Sequence, residues 1–427
     1  MEKLETVEIG KEKKEGPQIK NLGDFWRFFK NELKPKGKPY TLFNIISAPV
    51  MVIGLILIIY RFVVGLGAPV TNLNQSFPWG IWIGFDVICG VAFAAGGYVL
   101  AFMVYILGLE KYRPILRVTV LNAFLSYVFY AGAIALDLGR WWNMPNAFLG
   151  NRFGVSSVMF IVAWHFMLYM LTLALEVSPA VAEWLNLKKA RKILGSLTLG
   201  AVVFGVMLSI HHQAGLGALF TMAKAKIHPL WYSEFLPITF FISSIYAGLS
   251  MVIFEGTISH KVFTHPHQLG ENHHNNHESD VDILVGLSRV CAGVIFAYIM
   301  LTITLAQYEG DLHLINTTMG SWWLTEVVGF VIIPGFMFIH GAQFRNTSTI
   351  RVAAIIAIVG IILNRFNCVF IAYNWFLPFI EKYRPSVIEV LATLTIIFIE
   401  IWTLRWIINR MPILREAPEW VKELKEH

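Results

Sequence analysis

Ten long apolar stretches recur along the chain, separated by short polar connections. They run Thr41–Leu66, Gly80–Leu107, Leu116–Leu138, Val155–Val177, Ile193–His212, Phe235–Ser259, Ile283–Gln307, Trp323–Gly341, Ile350–Tyr373 and Val387–Ile408. A helix needs about 20 apolar residues to cross a bilayer, and each stretch meets that length. Helices are expected because lipid offers the backbone no hydrogen-bond partner. The strands of a membrane barrel would be about half as long and would alternate in polarity. Pro and Gly punctuate the connections, as at Gly67-Ala68-Pro69 and His228-Pro229.

The pattern therefore predicts an all-α membrane protein of about ten spans. It divides into an N-terminal segment (1–40), a transmembrane domain (41–409) and a C-terminal tail (410–427). Within the first segment Leu22–Leu33 is aromatic and basic, and is expected to form an interfacial helix. The polar residues before the first span do not have the form of a cleavable signal. Residues 260–281 form a histidine-rich inner loop, read as solvated and without a metal site.

Composition agrees with lipid as the main solvent. Hydrophobic residues make up 56% of the 427 and charged residues only 15%, against about 25% in a soluble domain. The net charge of +6 is no nucleic-acid signal, because the cations are sorted by side. With the N-terminus inside, and with Arg117 and Arg351 at the span edges counted as inner, inner segments hold 24 of the 34 Lys and Arg, outer loops 6, and spans 4. That bias places both termini in the cytoplasm and the protein in the cell membrane. Cys89, Cys291 and Cys368 lie in apolar stretches and are read as small buried hydrophobes.

Charged groups at bilayer depth are costly and mark functional candidates. The outer half carries Asp86, about 9 Å into its helix, with Asp137, Arg140, His211, Gln213, Arg365 and Asn367. His165 lies near mid-depth, and Glu176, Glu255, Arg289 and Glu400 sit in the inner half. The bland reading is a side chain at a span end reaching for water, or a structural ion pair such as Asp86 with Arg365.

A lipid-soluble quinone suits the outer group. Its carbonyl oxygens need donors, and its two-electron reduction takes up two protons, which an imidazole beside a carboxylate can exchange. An ion pathway and a passive anchor are the competing functions. A haem needs axial histidines at matching depth. His165 and His211 are expected at different depths, so no intrinsic haem is expected.

Specific motifs favour the quinone. Phe77–Gly97 (FPWGIWIGFDVICGVAFAAGG) resembles the second-span signature of the HybB branch of the NrfD/PsrC family. The likeness continues through Ala135–Trp142, Ser157–Glu176, Ser209–Gly217, Asn364–Asn367 and Tyr383–Val390, covering about residues 40 to 412. The resemblance implies two four-helix bundles plus flanking helices, with no haem or iron–sulfur cluster of the chain's own. It implies an outer site for quinone, menaquinone in particular, and an iron–sulfur partner subunit within a larger respiratory complex. Such complexes include hydrogenases, multihaem cytochrome complexes and Dsr- or Hme-type assemblies. By depth and donor chemistry the expected quinone site is Asp86, Arg140, His211, Gln213, Arg365 and Asn367, with His211, Asp86 and Asp137 handling protons. An inner proton route would use His165, Glu176, Glu255, Arg289 and Glu400. The chain departs from the family pattern at Ile161, where many relatives have Glu, and at Ala214-Gly215.

Overall fold

The computed structural model describes residues 21–36, 40–149, 156–263 and 273–414. Among them are ten helices long and apolar enough to cross a membrane. We label the short N-terminal helix α1 (Leu22–Glu32). The spans that follow are α2 (Leu42–Val64), α3 (Trp82–Ile106), α4 (Glu110–Asp137), α5 (Val158–Trp184) and α6 (Lys188–Thr221). They continue as α7 (Leu236–Phe263), α8 (His273–Tyr308), α9 (Thr318–Gln343), α10 (Thr347–Ile371) and α11 (Val387–Ile408). Their mean hydropathy runs from 1.6 to 2.6, which explains why every predicted stretch becomes a helix.

Several boundaries differ from the sequence reading: α4 begins at Glu110 rather than Leu116, α5 runs to Trp184 rather than Val177, α9 begins at Thr318 rather than Trp323, and two further differences touch the candidate residues. The fifth span does not end at His212 but continues to Thr221, placing His211 well inside its helix. Its end shows no sharp polarity change: Gln213 is followed by the uncharged run Ala214–Phe220, two glycines included, over which the helix continues. In the expected loop 260–281, α7 runs on to Phe263 and α8 already begins at His273, so residues 260–263 and 273–281 are helical. His265 and His267 lie outside the described residues.

Spans α3–α6 close a ring of four helices, and α7–α10 close a second. The rings meet along α3, α6 and α7, while α10 also reaches α3; α2 and α11 pair and flank the first ring through α4. Burial follows from that position. In α3, 94% of the apolar window is buried, against 11% in α2. Polar groups on α3 must therefore find partners inside the protein. The rings touch backbone to backbone where α3 crosses α7: a Cβ on Gly248 would lie 2.2 Å from the Gly96 nitrogen. Only glycine permits that approach.

One end of the molecule, here the terminal face, gathers α1, the start of α2 and the end of α11. Asn21 caps α1 by accepting from the Asp24 N–H at 2.8 Å. Phe28 of α1 packs on Trp184, ring centres 5.0 Å apart. Arg410 donates to the Lys34 carbonyl at 2.8 Å. At this face the buried Glu183 carboxylate takes Arg117 at 2.9 Å and Arg191 at 2.7 Å, tying α4, α5 and α6. Two cations with good geometry offset the cost of burying that carboxylate. The opposite end is the distal face.

Candidate functional site

The sequence-derived candidates separate into three groups. The first follows the seam between α3, α4 and α11. Asp86 lies in a wide π-helical turn of α3, Trp82–Cys89, a form of helix common at functional sites. It is 1% exposed and accepts a hydrogen bond from Thr393 of α11 at 2.9 Å. Two turns further along α11, Glu400 accepts from Ser126 of α4 at 2.6 Å. One turn before Ser126, Asn122 donates to Glu255 of α7 at 2.5 Å. Glu400 lies close enough to act electrostatically on both Asp86 and Glu255. The three carboxylates thus descend from the distal end toward the terminal face, each held by one neutral donor. A carboxyl with a single neutral donor can take or release a proton without losing its place.

Asp137 joins this seam at its distal end. Its Oδ1 is buried with no hydrogen-bond partner among the described residues. Arg61 of α2 stands nearby and donates to the carbonyls of Leu136 at 2.7 Å and Leu138 at 2.6 Å. The carboxylate of Glu389 is saturated: it accepts from Tyr383 at 2.5 Å and from the Ser386 N–H at 2.8 Å, capping α11. Arg140 is exposed just beyond α4.

The second group lies on α5 and α6. His165 and His211 stand side by side, ring centres 5.2 Å apart. They share a depth, which corrects the sequence reading and follows from the length of α6. His211 is exposed, and its Nδ1 lies 2.7 Å from the Met207 carbonyl one turn back. That carbonyl orients the ring; the expected carboxylate partner, Asp86 or Asp137, does not. His212 points inward against Tyr127 and Phe166, at 5.7 and 5.5 Å. Both His212 nitrogens, the Tyr127 and Tyr169 hydroxyls and Ser209 Oγ are buried without hydrogen-bond partners among the described residues. So many such atoms in one place make a polar seam able to hold water. It leads along α5 to Thr172 and Glu176, which a Cβ on Gly205 would meet at 3.0 and 3.3 Å. Gln213 serves packing instead: its side chain donates to the Val91 carbonyl of α3 at 2.8 Å.

The third group lies in the second ring. Glu326 of α9 accepts from Trp231 at 2.7 Å, Asn364 at 2.7 Å and Asn367 at 2.5 Å. Arg365 donates to Ser243 at 2.7 Å and Asn364 at 2.9 Å, and lies 3.6 Å over the Phe240 ring. The Glu326 carboxylate thus takes three donors, with the Arg365 guanidinium close by. Arg365 and Asp86 both act electrostatically on Cys89, so they flank it from two rings.

No hydrogen bond or ion pair joins His211 to Asp86 or Arg365 among the described residues. Arg289 is exposed on the terminal face, apart from the other members of the expected inner route. The sequence pattern does not single out Thr393, Ser126 and Asn122, because hydroxyls and amides in a span look like ordinary packing. Their signal is the helical spacing of Asn122 with Ser126 and of Thr393 with Glu400.

Two four-helix rings with flanking spans and buried ionisable seams define an integral membrane protein. The relatives whose names state an activity are subunits of redox enzymes. The family Polysulphide reductase, NrfD matches residues 69–377, and the chain belongs to that family. It is 42% identical over 377 residues to a protein of Nitratidesulfovibrio vulgaris whose name states no activity, covering 88% of this chain and 95% of that one. It is 31% identical over 382 residues to the probable Ni/Fe-hydrogenase 2 b-type cytochrome subunit of Escherichia coli, covering 87% and 93%. It is 24% identical over 337 residues to the menaquinone reductase integral membrane subunit of N. vulgaris, covering 72% and 75%.

Proposed function

We propose that this chain is the quinone-reactive membrane subunit of a multisubunit respiratory oxidoreductase. It exchanges electrons between a membrane quinone, menaquinone in particular, and an iron–sulfur partner subunit docked at the distal face. The charge bias supports the orientation, with both termini cytoplasmic and the distal face outward. The observation that carries the reading is Asp86: a buried carboxyl at the distal end of the seam through Glu400 to Glu255.

Reduction of a quinone to its quinol consumes two electrons and two protons. The electrons come from the iron–sulfur partner. Asp86 gives a proton to one quinone oxygen and Asp137 to the other, and Arg365 adds positive potential from the second ring. Glu400 and Glu255 return protons to Asp86 from the terminal side. In the opposite direction the same groups take protons from quinol.

The exposed His211 beside His165 favours a second reading. There the headgroup meets His211 directly from the lipid, and the seam through His212, Tyr169 and Glu176 carries the protons. Two variants separate them. Asp86→Asn in the assembled complex should lower quinone-linked turnover about 100-fold, the scale of lost acid–base help, while artificial-dye activity of the partner survives. Parent turnover in Asp86→Asn with the same loss in His211→Ala moves the site to the histidines. Parent turnover in both supports a passive anchor.

A further inference from the structure

We infer that a cleft on the terminal face, between Lys111, Arg289 and Arg345, binds the headgroup phosphate of an anionic phospholipid and so staples the two rings together. The cleft has a volume of about 540 Å³, within the range of ligand sites, about 300–1,000 Å³. Lys111 comes from the first turn of α4 in the first ring. Glu278, Asp282, Gly286 and Arg289 come from α8, and Arg345 from the connection between α9 and α10, in the second.

The charges of the cleft do not cancel. Arg345 is paired with Asp282 at 2.8 Å. No ion pair engages Lys111 or Arg289 among the described residues, and Glu278 is the remaining carboxylate of the lining. The excess is one positive charge, which matches the single negative charge of a phosphodiester. Gly286 keeps the floor bare: a Cβ there would lie 2.7 Å from Lys111 Nζ. Without a side chain, the lysine of one ring reaches the helix of the other.

Depth points to a lipid rather than a dissolved anion. Arg289 lies about 28 Å along α8 from the helix end at Tyr308, at about 1.5 Å per residue. That sets the guanidinium at the terminal edge of a hydrocarbon layer about 30 Å thick, where phosphates of lipid headgroups begin. Ile283 and Val285 add apolar lining beside the cations, as suits a ligand that is part ester and part hydrocarbon. Basic pockets between spans are a recurrent way to hold such headgroups. The site lies apart from the carboxylate seam, so it does not rest on the quinone reading.

The test uses the full chain in nanodiscs of equal phosphatidylglycerol and phosphatidylcholine, released into the gas phase for native mass spectrometry. The wild type should retain one phosphatidylglycerol per chain in preference to phosphatidylcholine. Lys111→Gln with Arg289→Gln should weaken that retention at least tenfold, while Lys224→Gln, an exposed distal-face residue, should leave it unchanged. Equal retention of both lipids by the wild type overturns the inference without any variant. Undiminished retention in the double variant also overturns it. Displacement of the lipid by millimolar inorganic phosphate reassigns the cleft to a free anion and overturns the lipid.

Discussion

The rings of His165 and His211 lie 5.2 Å apart, centre to centre, on adjacent faces of α5 and α6. Equal depth removes the simplest argument against a haem in this chain, but the separation supplies another. An iron bound from opposite sides by two imidazoles, with metal–nitrogen bonds of about 2 Å, holds the ring centres about 6 Å apart. It also needs a slot for the porphyrin. Here α5 and α6 pack against each other along their length. The purified, partner-free chain is therefore expected to give no haem b signal in a pyridine haemochrome assay. One haem per chain, lost in His211→Ala, would overturn this.

Glu255→Gln and Glu400→Gln should each reduce proton uptake from the terminal side while quinone binding persists. A Gln keeps the hydrogen bond from Asn122 or accepts from Ser126 through its amide oxygen, so packing is preserved. What it loses is the exchangeable proton. Proton-to-electron stoichiometry in liposomes is the measurement. Unchanged stoichiometry in both variants would assign the two carboxyls to structure alone.

Topology is open to a direct check, because the natural cysteines Cys89, Cys291 and Cys368 are all buried. An engineered cysteine at Asn72 on the distal side should react with an impermeant maleimide added outside intact cells. One at Lys189, in the first turn of α6 on the terminal side, should react only after the membrane is opened. The reverse pattern would invert the depth of every group discussed above.

His228 should make the distal connection sensitive to acid. It lies outside the spans and is 3% exposed, with Nδ1 accepting from the Leu230 N–H at 3.3 Å. Its ring packs on Trp375 at 4.8 Å. Burial lowers its pKa from the ordinary value of 6.5. The folded state thus binds fewer protons than the unfolded one. Stability is complete above pH about 6.5 and falls as pH drops toward the lowered folded value. Thermal unfolding followed by tryptophan emission should soften between pH 7 and 5 (about two units below neutrality) more in the wild type than in His228→Gln. Equal pH dependence in the two would show that His228 does not titrate with unfolding.

Hydrophobic periodicity by itself determined the ten spans, their order and the up-and-down course of the chain, because lipid makes a helix the only way to satisfy a lone segment's backbone. The motifs around Asp86, Asp137 and Asn364–Asn367 also marked the family before any geometry was known. Rotation and depth about each helix axis were not legible. Neighbouring His211 and His212 look equivalent in sequence, yet one faces outward and the other lies 1% exposed among aromatic rings. The end of α6 was hidden as well, since no polarity change follows His212. Which helices close into rings depends on contacts such as Gly96 with Gly248, made between residues far apart in the chain. Only that packing separated Arg289, on an open cleft, from Glu255 and Glu400, and set Asp86 on Thr393 while Arg365 went to Ser243. A polar group in a span must find a partner within the protein, and the tertiary structure alone decides which one.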